Sequence, residues 1–246
     1  MGVAIAVVSG KGGTGKTSLV GGIGASLAAL EKRVLCLDMD LGLKNLDITL
    51  GMVDETAMDF TDVTSRRYNL KQSAAEHPEI PGLYLLTSPL SIKPSEVDER
   101  TFSAMLRKIR RKFHYCLIDA PAGLGEGFSL AAKYADMAIV TATIDLASQR
   151  GAGLARQALE RMGIKKSYLV VNRAVPKMMS KAGLNIDDMM DTVGLPLLGV
   201  VPEDSSVFEA ASSGTAIALF NKKRALLAYA NIARRITGQR VPLMKI

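Results

Sequence analysis

Residues that build metal centres and disulfides are scarce in this sequence. Its 246 residues include two cysteines and two histidines. Cys36 and Cys116 lie in apolar segments and form no CxxC pair, so we interpret them as buried thiols rather than as ligands or disulfide partners. His77 and His114 are far apart and match no ligand spacing. These absences argue against an iron–sulfur cluster, and unpaired cysteines are typical of a cytoplasmic protein.

Long hydrophobic runs are absent as well. No apolar stretch approaches the roughly 20 residues that a membrane-spanning helix needs. The short apolar run Val3–Val8 has no basic leader and enters a glycine-rich loop, so it predicts a buried strand rather than a signal peptide. Hydrophobic residues make up 48% of the chain and charged ones 22%, which is typical of a globular protein. We expect a single domain over residues 1–246 that ends in a short basic and apolar tail at 238–246.

Acidic residues are absent after Glu209. The same segment carries seven of the 31 lysines and arginines. These cations are Lys222, Lys223, Arg224, Arg234, Arg235, Arg240 and Lys245. The rest of the chain carries equal numbers of the two signs, so the whole net charge of +7 comes from the C-terminal segment. A basic surface of this kind attracts anionic lipid or nucleic acid.

Short apolar segments alternate with segments of helical periodicity. The predicted strands are Val3–Val8, Arg33–Leu37, Leu83–Thr87, Tyr115–Ile118, Met137–Thr141, Tyr168–Val171 and Leu197–Val200. The predicted helices are Lys16–Leu30, Ser95–Lys112, Phe128–Tyr134, Ser148–Met162, Ile186–Val193 and Asn221–Ile236. Met52–Pro81 is less regular, and we expect surface loop there. The alternation predicts a doubly wound α/β fold, with a mainly parallel sheet between two helical layers and ligands at the carboxyl ends of the strands.

A phosphate-binding loop follows the first predicted strand. Residues 10–17 match the pattern GxxxxGK[ST], whose glycines let backbone N–H groups surround phosphate oxygens at a helix N-terminus. Lys16 would reach the β- and γ-phosphates, and the Thr17 hydroxyl would bind Mg²⁺. The predicted nucleotide-binding residues here are Gly10, Lys11, Gly12, Gly13, Thr14, Gly15, Lys16, Thr17 and Ser18.

The loop resembles the deviant Walker A motif, KGGxGKT, of the MinD/ParA family of ATPases through Lys11–Thr17. The resemblance implies ATP and Mg²⁺ as ligands and an ATP-dependent homodimer. It also implies that Lys11 crosses the dimer interface and stabilises the transferring phosphoryl group of the other subunit, as an arginine finger does. Lys11 and Lys16 are therefore predicted catalytic residues.

Two aspartates end the second predicted strand. Asp38 and Asp40 are two residues apart, so their side chains point the same way, toward the phosphate loop. The segment from Asp38 to Gly51 resembles switch I of the MinD branch. By that resemblance Asp40 orients the attacking water, Asp38 supports the loop lysine or the metal, and Asn45 belongs to the switch.

A third aspartate, Asp119, follows the strand Tyr115–Ile118 in a Walker B arrangement. Such a carboxylate holds Mg²⁺ through water, so Asp119 joins Thr17 as a predicted metal residue. The loop that follows contains Pro121 and Gly123 and resembles switch II. Its mobility would let it sense the γ-phosphate.

Polar residues also follow the last predicted strands. By the family resemblance, Asn172 and the turn Pro202-Glu203-Asp204 line the adenine pocket. The guanine-specific signature NKxD would require lysine and aspartate at positions 173 and 175, which are arginine and valine here. The sequence therefore favours adenine over guanine.

The predicted helix Asn221–Ile236 is amphipathic. Its apolar face carries Ala225, Tyr229, Ile232, Ala233 and Ile236, and its basic face carries Lys223, Arg224, Asn231, Arg234 and Arg235. The basic face predicts either a solvated surface or a peripheral contact with an anionic membrane or with DNA. MinD proteins continue into a membrane-targeting helix, whereas the stretch Arg240–Ile246 is short, contains Pro242 and makes a weak anchor.

Together these features predict an ATP hydrolase that acts as an ATP-driven monomer–dimer switch, with slow turnover stimulated by a partner protein. The MinD resemblance favours placement of the septum site in cell division, in the cytoplasm or peripherally at the membrane. Three alternatives remain: a ParA-like DNA-partition ATPase, a flagellar-placement relative, and a nucleotide-gated scaffold with negligible turnover. The set Lys11, Asp40 and Asp119 argues against the scaffold, since a scaffold needs no catalytic groups.

Overall fold

The computed structural model describes residues 1–55, 57–181, 183–220 and 224–244. Within these ranges eight strands form one sheet. They are β1 (Val3–Val8), β2 (Val34–Asp38), β3 (Ala75–Glu76), β4 (Leu83–Leu86), β5 (Tyr115–Asp119), β6 (Met137–Ala142), β7 (Ser167–Ala174) and β8 (Leu197–Pro202). Their order is β3-β4-β2-β5-β1-β6-β7-β8, and all pairs are parallel except β3 with β4. The seven predicted strands are confirmed, with ends that differ by at most three residues.

Helices fill the connections between the strands. They are α1 (Lys16–Ala28), α2 (Leu46–Leu50), α3 (Phe60–Thr64), α4 (Leu70–Ser73), α5 (Glu99–Lys112), α6 (Glu126–Ala132), α7 (Leu146–Arg161), α8 (Pro176–Lys181), α9 (Ile186–Val193), α10 (Ser205–Ser212), α11 (Ile217–Phe220) and α12 (Arg224–Ile236). Short 3₁₀ helices span Val53–Glu55 and Pro94–Glu96. The six predicted helices are confirmed, although the predicted start of α12 at residues 221–223 lies outside the described ranges. The helices that sequence reasoning missed have eight residues or fewer, and four of them have only four or five.

The sheet is buried on both faces. Successive side chains of β1 alternate between two cores: Ala4, Ala6 and Val8 face one, Ile5 and Val7 the other. The first core includes residues of α3, α5, α6, α7 and α9, and the second includes residues of α1, α2, α10, α11 and α12. The predicted doubly wound, three-layer α/β fold is therefore confirmed, and the continuous apolar runs reflect burial from both sides.

The segment that follows Met52 departs from the expectation of surface loop. It contains α3 and α4, whose N-termini carry capping boxes built on Asp59 and Asn69. Phe60 is fully buried and packs edge-on against Phe102 of α5, with ring centroids 5.7 Å apart. Burying such a side chain contributes about 1.5–3 kcal/mol, so this segment is part of the core. The prediction of surface loop is wrong here because each helix is only about one turn long.

The C-terminal helix α12 packs on α1 through its apolar face. Tyr229 packs directly against Gly22 of α1, where a Cβ atom would lie 2.2 Å from the tyrosine ring. Its predicted basic face is smaller than expected, because Arg235 turns inward. The Arg235 guanidinium donates to the carbonyl oxygens of Leu198 at 2.7 Å and of Val241 at 3.0 and 3.1 Å. Arg235 therefore ties the start of the tail to β8 instead of facing solvent, which corrects its assignment to the basic face.

Of the seven cations of the C-terminal segment, Lys222, Lys223 and Lys245 lie outside the described ranges. Across the ranges that are described, no helix is both long and apolar enough to cross a membrane.

Candidate nucleotide-binding site

The predicted site residues converge at the carboxyl ends of the parallel strands. The register pairs Val7 of β1 with Asp119 of β5, and Asp119 with Asp38 of β2. The loop that follows β1 therefore lies beside both carboxylates and leads into α1. On the other side of β1, the ends of β6, β7 and β8 reach the same edge of the sheet.

The backbone of the phosphate loop depends on its glycines. Gly13 and Gly15 have φ of 76° and 82°, a left-handed region that disfavours residues with a Cβ atom. No side chain caps the N-terminus of α1, so its first N–H groups are available to an anion. At Gly10 a Cβ atom would lie 2.1 Å from the Gly151 oxygen of α7, so the loop is seated tightly against that helix.

Lys16 is the buried cation of the site. It is 8% exposed, and its Nζ donates a hydrogen bond to Ser9 Oγ at 3.0 Å. Ser9 Oγ in turn donates to the Lys11 carbonyl oxygen at 2.7 Å, which bridges the two ends of the loop. Burial lowers the pKa of Lys16, while the charges of Asp119 and Asp40 oppose that shift. A cation in this poorly solvated position would interact strongly with a phosphate group.

Asp119 is the least satisfied carboxylate of the site. It is 1% exposed, and burial raises the pKa of its carboxyl well above the usual range. The Thr17 hydroxyl is hydrogen-bonded to it, yet its Oδ1 is buried with no partner among the residues that the structure describes. A free carboxylate oxygen beside a hydroxyl and a phosphate loop fits Mg²⁺, which prefers oxygen ligands and keeps several waters.

The described part of the chain holds no cluster of three His, Cys, Asp or Glu side chains that could bind a metal without the nucleotide. A magnesium ion held by Asp119 and Thr17 would draw its other oxygen ligands from phosphate and water.

Asp38 differs from Asp119 because both of its oxygens are occupied. Its Oδ1 accepts the Asp40 N–H at 2.9 Å and its Oδ2 accepts the Leu46 N–H at 3.3 Å. Burial raises the pKa of Asp38 to about 6. The side chain thus anchors both ends of the segment that carries Asp40, which favours the supporting role over metal binding. Asp40 itself is partly buried, and burial raises the pKa of its carboxyl while Lys16 lowers it.

Lys11 is held within its own chain. Its Nζ lies 3.0 Å from Asp145 Oδ1, and both side chains are about half exposed, at 47% and 45%. Asp145 follows β6 and caps α7 by accepting the Ser148 N–H at 3.0 Å. A hydrogen bond from the Thr143 hydroxyl, and then Lys11, lower the pKa of Asp145 to about 2. The lysine that the resemblance assigns to a dimer interface therefore rests against a carboxylate at the mouth of its own site.

The two predicted switch segments lie at the surface beside the loop. Asn45 is exposed and precedes α2, and Leu43 in the same segment is 66% exposed. Gly123 has φ of 86°, and Pro121 packs closely against Gly127 of α6. Their response to a γ-phosphate stays a prediction.

A cleft of about 270 Å³ opens beside the phosphate loop at the ends of β7 and β8. Its lining includes the predicted residues Gly15, Ser18, Asn172, Pro202, Glu203 and Asp204. Asn172 is buried, and its Nδ2 donates to the Thr14 carbonyl oxygen at 2.8 Å, which joins the cleft to the loop. The cleft is therefore continuous with the phosphate site and suits the base of a nucleotide.

Two polar contacts hold the rim of this cleft in place. Arg173, with φ of 56°, donates to both carboxylate oxygens of Glu203, at 2.7 and 3.2 Å. Asp204 Oδ1 accepts the Ser206 N–H at 3.0 Å and so caps α10, while its Oδ2 accepts the Ala225 N–H of α12 at 3.1 Å. Asp204 thus links the rim to two helices.

Comparison with known proteins agrees with this geometry. Residues 5–217 match the CobQ/CobB/MinD/ParA nucleotide binding domain. The chain belongs to this family. The septum site-determining protein MinD of Bacillus subtilis is 37% identical over 246 residues, which cover 99% of this chain and 92% of that protein.

Two solved MinD structures resemble the whole chain. The Aquifex aeolicus protein, from a MinC:MinD cell division protein complex, is 31% identical, with a TM-score of 0.91 and coverage of 99% of this chain and 98% of its own. The Pyrococcus horikoshii MinD, complexed with Mg-ADP, is 24% identical with a TM-score of 0.84 and 96% coverage of both chains, and it shows the fold alone. The predicted assignment to the MinD branch, and with it to ATPases of septum-site placement, is confirmed.

Sequence reasoning missed several residues of this MinD-type site. Asp145 and Gly151 contact the phosphate loop from the segment after β6, and Arg173 and Phe208 line the cleft. Asp145 could have been identified from the sequence, since it is an acidic residue just after a predicted strand, at the edge of the sheet where ligands bind. Gly151 and Phe208 lie inside helices and carried none.

Proposed function

We propose that the protein is a magnesium-dependent ATPase that switches between monomer and ATP-bound homodimer to help place the division site. One observation carries the proposal most directly. Buried Lys16, unsatisfied Asp119 and half-exposed Lys11 surround a glycine loop whose N–H groups are free to bind phosphate. A binding module for nucleotide would need the loop, whereas it would need neither a free carboxylate nor a second lysine at the mouth.

Each step of ATP binding and hydrolysis is assigned to particular residues of the site. The loop and Lys16 bind the β- and γ-phosphates of ATP, and the cleft at Asn172 takes the base. Thr17 and Asp119 would hold Mg²⁺, which when bound would neutralise phosphate charge as it develops. Asp40, kept in place through Asp38, orients water for in-line attack on the γ-phosphate. Cleavage of the bond to the β-phosphate bridging oxygen yields ADP and phosphate.

Dimer formation requires Lys11 to leave Asp145. The ion pair is about half exposed, and such pairs contribute about 0–1 kcal/mol, so a γ-phosphate in the other subunit could compete for the lysine. Two subunits closed face to face would each supply Lys11 in trans. Turnover that depends on this exchange is slow, and a partner protein that favours the closed form would stimulate it.

Relatives suggest the setting of this switch. The Aquifex aeolicus structure contains MinC with MinD, so a protein partner that reads the ATP state is proposed here as well. Peripheral membrane contact is proposed through the remaining cations of the C-terminal basic face, including Arg234. The DNA-partition alternative has less support, because the MinD relative at 37% identity is a septum site-determining protein.

The test compares the mass of the protein in ATP–Mg²⁺ and in ADP–Mg²⁺ by light scattering, together with phosphate release. Wild type should become a dimer in ATP only. Lys11→Ala should stay monomeric and lose at least about 100-fold in hydrolysis, and Asp40→Ala should form a dimer that does not hydrolyse ATP. Lys177→Ala, an exposed lysine on α8, is the matched control and should behave as wild type.

A wild-type monomer in ATP, or full hydrolysis by Lys11→Ala, would contradict the switch. Co-sedimentation of the same protein with anionic liposomes and with plasmid DNA then identifies its surface. ATP-dependent binding to lipid supports division-site placement, and binding to DNA alone would overturn it in favour of partition.

A further inference from the structure

Phe208 is the most exposed phenylalanine in the described ranges. It is 77% exposed, whereas Phe60, Phe102 and Phe128 are at most 1% exposed. Helix α10 does not need it for packing, because that helix buries Ser206 and Ala210 instead. An exposed phenyl ring leaves a large apolar surface in water, where it is available to contact a ligand.

The ring lies on the wall of the base cleft. Phe208 lines the same 270 Å³ cleft as Asn172 and Pro202, which joins the phosphate loop through Gly15. Asp204 caps the helix that carries it, and the Arg173–Glu203 ion pair borders the same rim. The ring is therefore presented by a fixed helix beside the place where a base would enter.

Asn172 supplies the polar half of the same wall. Its Nδ2 donates to the Thr14 carbonyl oxygen at 2.8 Å, which orients the amide. The amide oxygen is then left to accept a hydrogen bond, and it has no partner among the described residues. An exocyclic amino group, such as that of adenine, is the matching donor.

We propose that Phe208 is a base-stacking residue that sets the nucleotide affinity of this site. Its ring covers the face of the adenine while Asn172 accepts from the amino group. The inference rests on the proposed function, since it assigns the base end of the ATP site. Stacking on an aromatic side chain strengthens binding by roughly 5- to 140-fold per base.

The first test separates the base from the phosphates. Dissociation constants are measured by calorimetry for Mg-ATP and for magnesium tripolyphosphate, which has no base. Phe208→Ala should weaken Mg-ATP by roughly 10-fold and leave tripolyphosphate unchanged. Leu227→Ala, which removes another exposed apolar side chain (52%) on α12, is the matched control and should change neither.

The second test uses the absence of tryptophan from the chain. Phe208→Trp introduces a single indole, whose fluorescence should be quenched by Mg-ATP and not by tripolyphosphate. Stacking is overturned if Phe208→Ala binds ATP like wild type, if it weakens both ligands equally, or if the indole does not respond to ATP. Failure of wild type to bind Mg-ATP would instead overturn the proposed function and the inference with it.

Discussion

A buried carboxylate normally has hydrogen-bond partners on both oxygens, and Asp119 does not. Its Oδ1 is buried with no partner in the described part of the chain, and burial raises the pKa of the group. Asp38, one strand away, accepts backbone hydrogen bonds on both oxygens. Two aspartates that look alike in sequence therefore differ in chemistry, one prepared for a cation and the other holding a loop. An unpartnered buried oxygen and a shifted pKa at a single residue are typical of functional sites.

Asp119→Asn should separate stability from magnesium binding. The amide has the same shape and no charge, so we expect the nucleotide-free protein to gain about 1–3 kcal/mol in free energy of unfolding at pH 7.5. Magnesium-dependent strengthening of ATP binding should be lost. Urea unfolding and calorimetry with and without Mg²⁺ measure the two effects. A destabilised variant that still binds ATP more tightly with Mg²⁺ would contradict this role for Asp119.

At the scale of elements, the short connection between β3 and β4 is fixed by one histidine. His77 is 4% exposed, and its Nδ1 accepts the N–H groups of Glu79 at 3.0 Å and Ile80 at 3.1 Å. Its Nε2 lies 2.9 Å from the Leu50 carbonyl oxygen, so the neutral ring with hydrogen on Nε2 satisfies every contact. The ring connects this turn to α2, which follows the segment held by Asp38.

His77 should make stability depend on pH. Burial lowers the pKa of His77, against the charges of Glu79 and Glu55 and the hydrogen bond to Leu50. The folded protein therefore binds this proton less readily than the unfolded chain, whose histidine titrates near 6.5. The contribution of His77 is complete above pH of about 6.5 and is lost as pH falls below it.

His77→Asn keeps an acceptor near the position of Nδ1 and cannot titrate. We expect it to cost about 1 kcal/mol at pH 7.5, because the contact with Leu50 is lost, and to lose less stability than wild type between pH 7.5 and 5.5. Urea unfolding at both pH values measures how much free energy of unfolding each protein loses. The site carboxylates titrate in both proteins, so their contribution cancels when the two losses are compared. Equal losses in the two proteins would show that His77 is not responsible.

At the scale of the molecule, the sheet brings the ends of β1 and β6 together, and with them Lys11 and Asp145. The two residues are 134 positions apart in sequence. Gly10 of the phosphate loop and Gly151 of α7 are in close contact beside this ion pair, so the loop and α7 form one continuous surface. If Lys11 crosses the dimer interface as proposed, dimer formation has to break its contact with Asp145.

Asp145→Asn should promote the dimer. Asparagine still caps α7 and removes the charge that holds Lys11, so the ATP concentration at half-dimerisation should fall by up to about fivefold. Light scattering over an ATP titration measures it. Asp187→Asn makes the same change in the first turn of α9 and should have no effect. An unchanged midpoint for Asp145→Asn would mean that the ion pair does not oppose dimer formation.

The strands, the longer helices and the phosphate loop were predictable from the sequence. Strands that are buried on both faces of a sheet require continuous apolar runs. A phosphate loop requires its glycines and lysine within one short segment, so both signals are local in sequence. The one-turn helices at Phe60 and Leu70 were not predictable, since four or five residues show no period.

Only the tertiary structure decided which side chains meet. The crossover order of the sheet pairs Lys11 with Asp145 and Asn172 with Thr14, which are 158 positions apart. The same packing turned Arg235 inward and left Phe208 exposed in the cleft. The periodicity of a sequence indicates which side chains of one helix or strand are buried. Which distant residues contact each other depends on the order of the strands in the sheet, and no local sequence pattern contains that order.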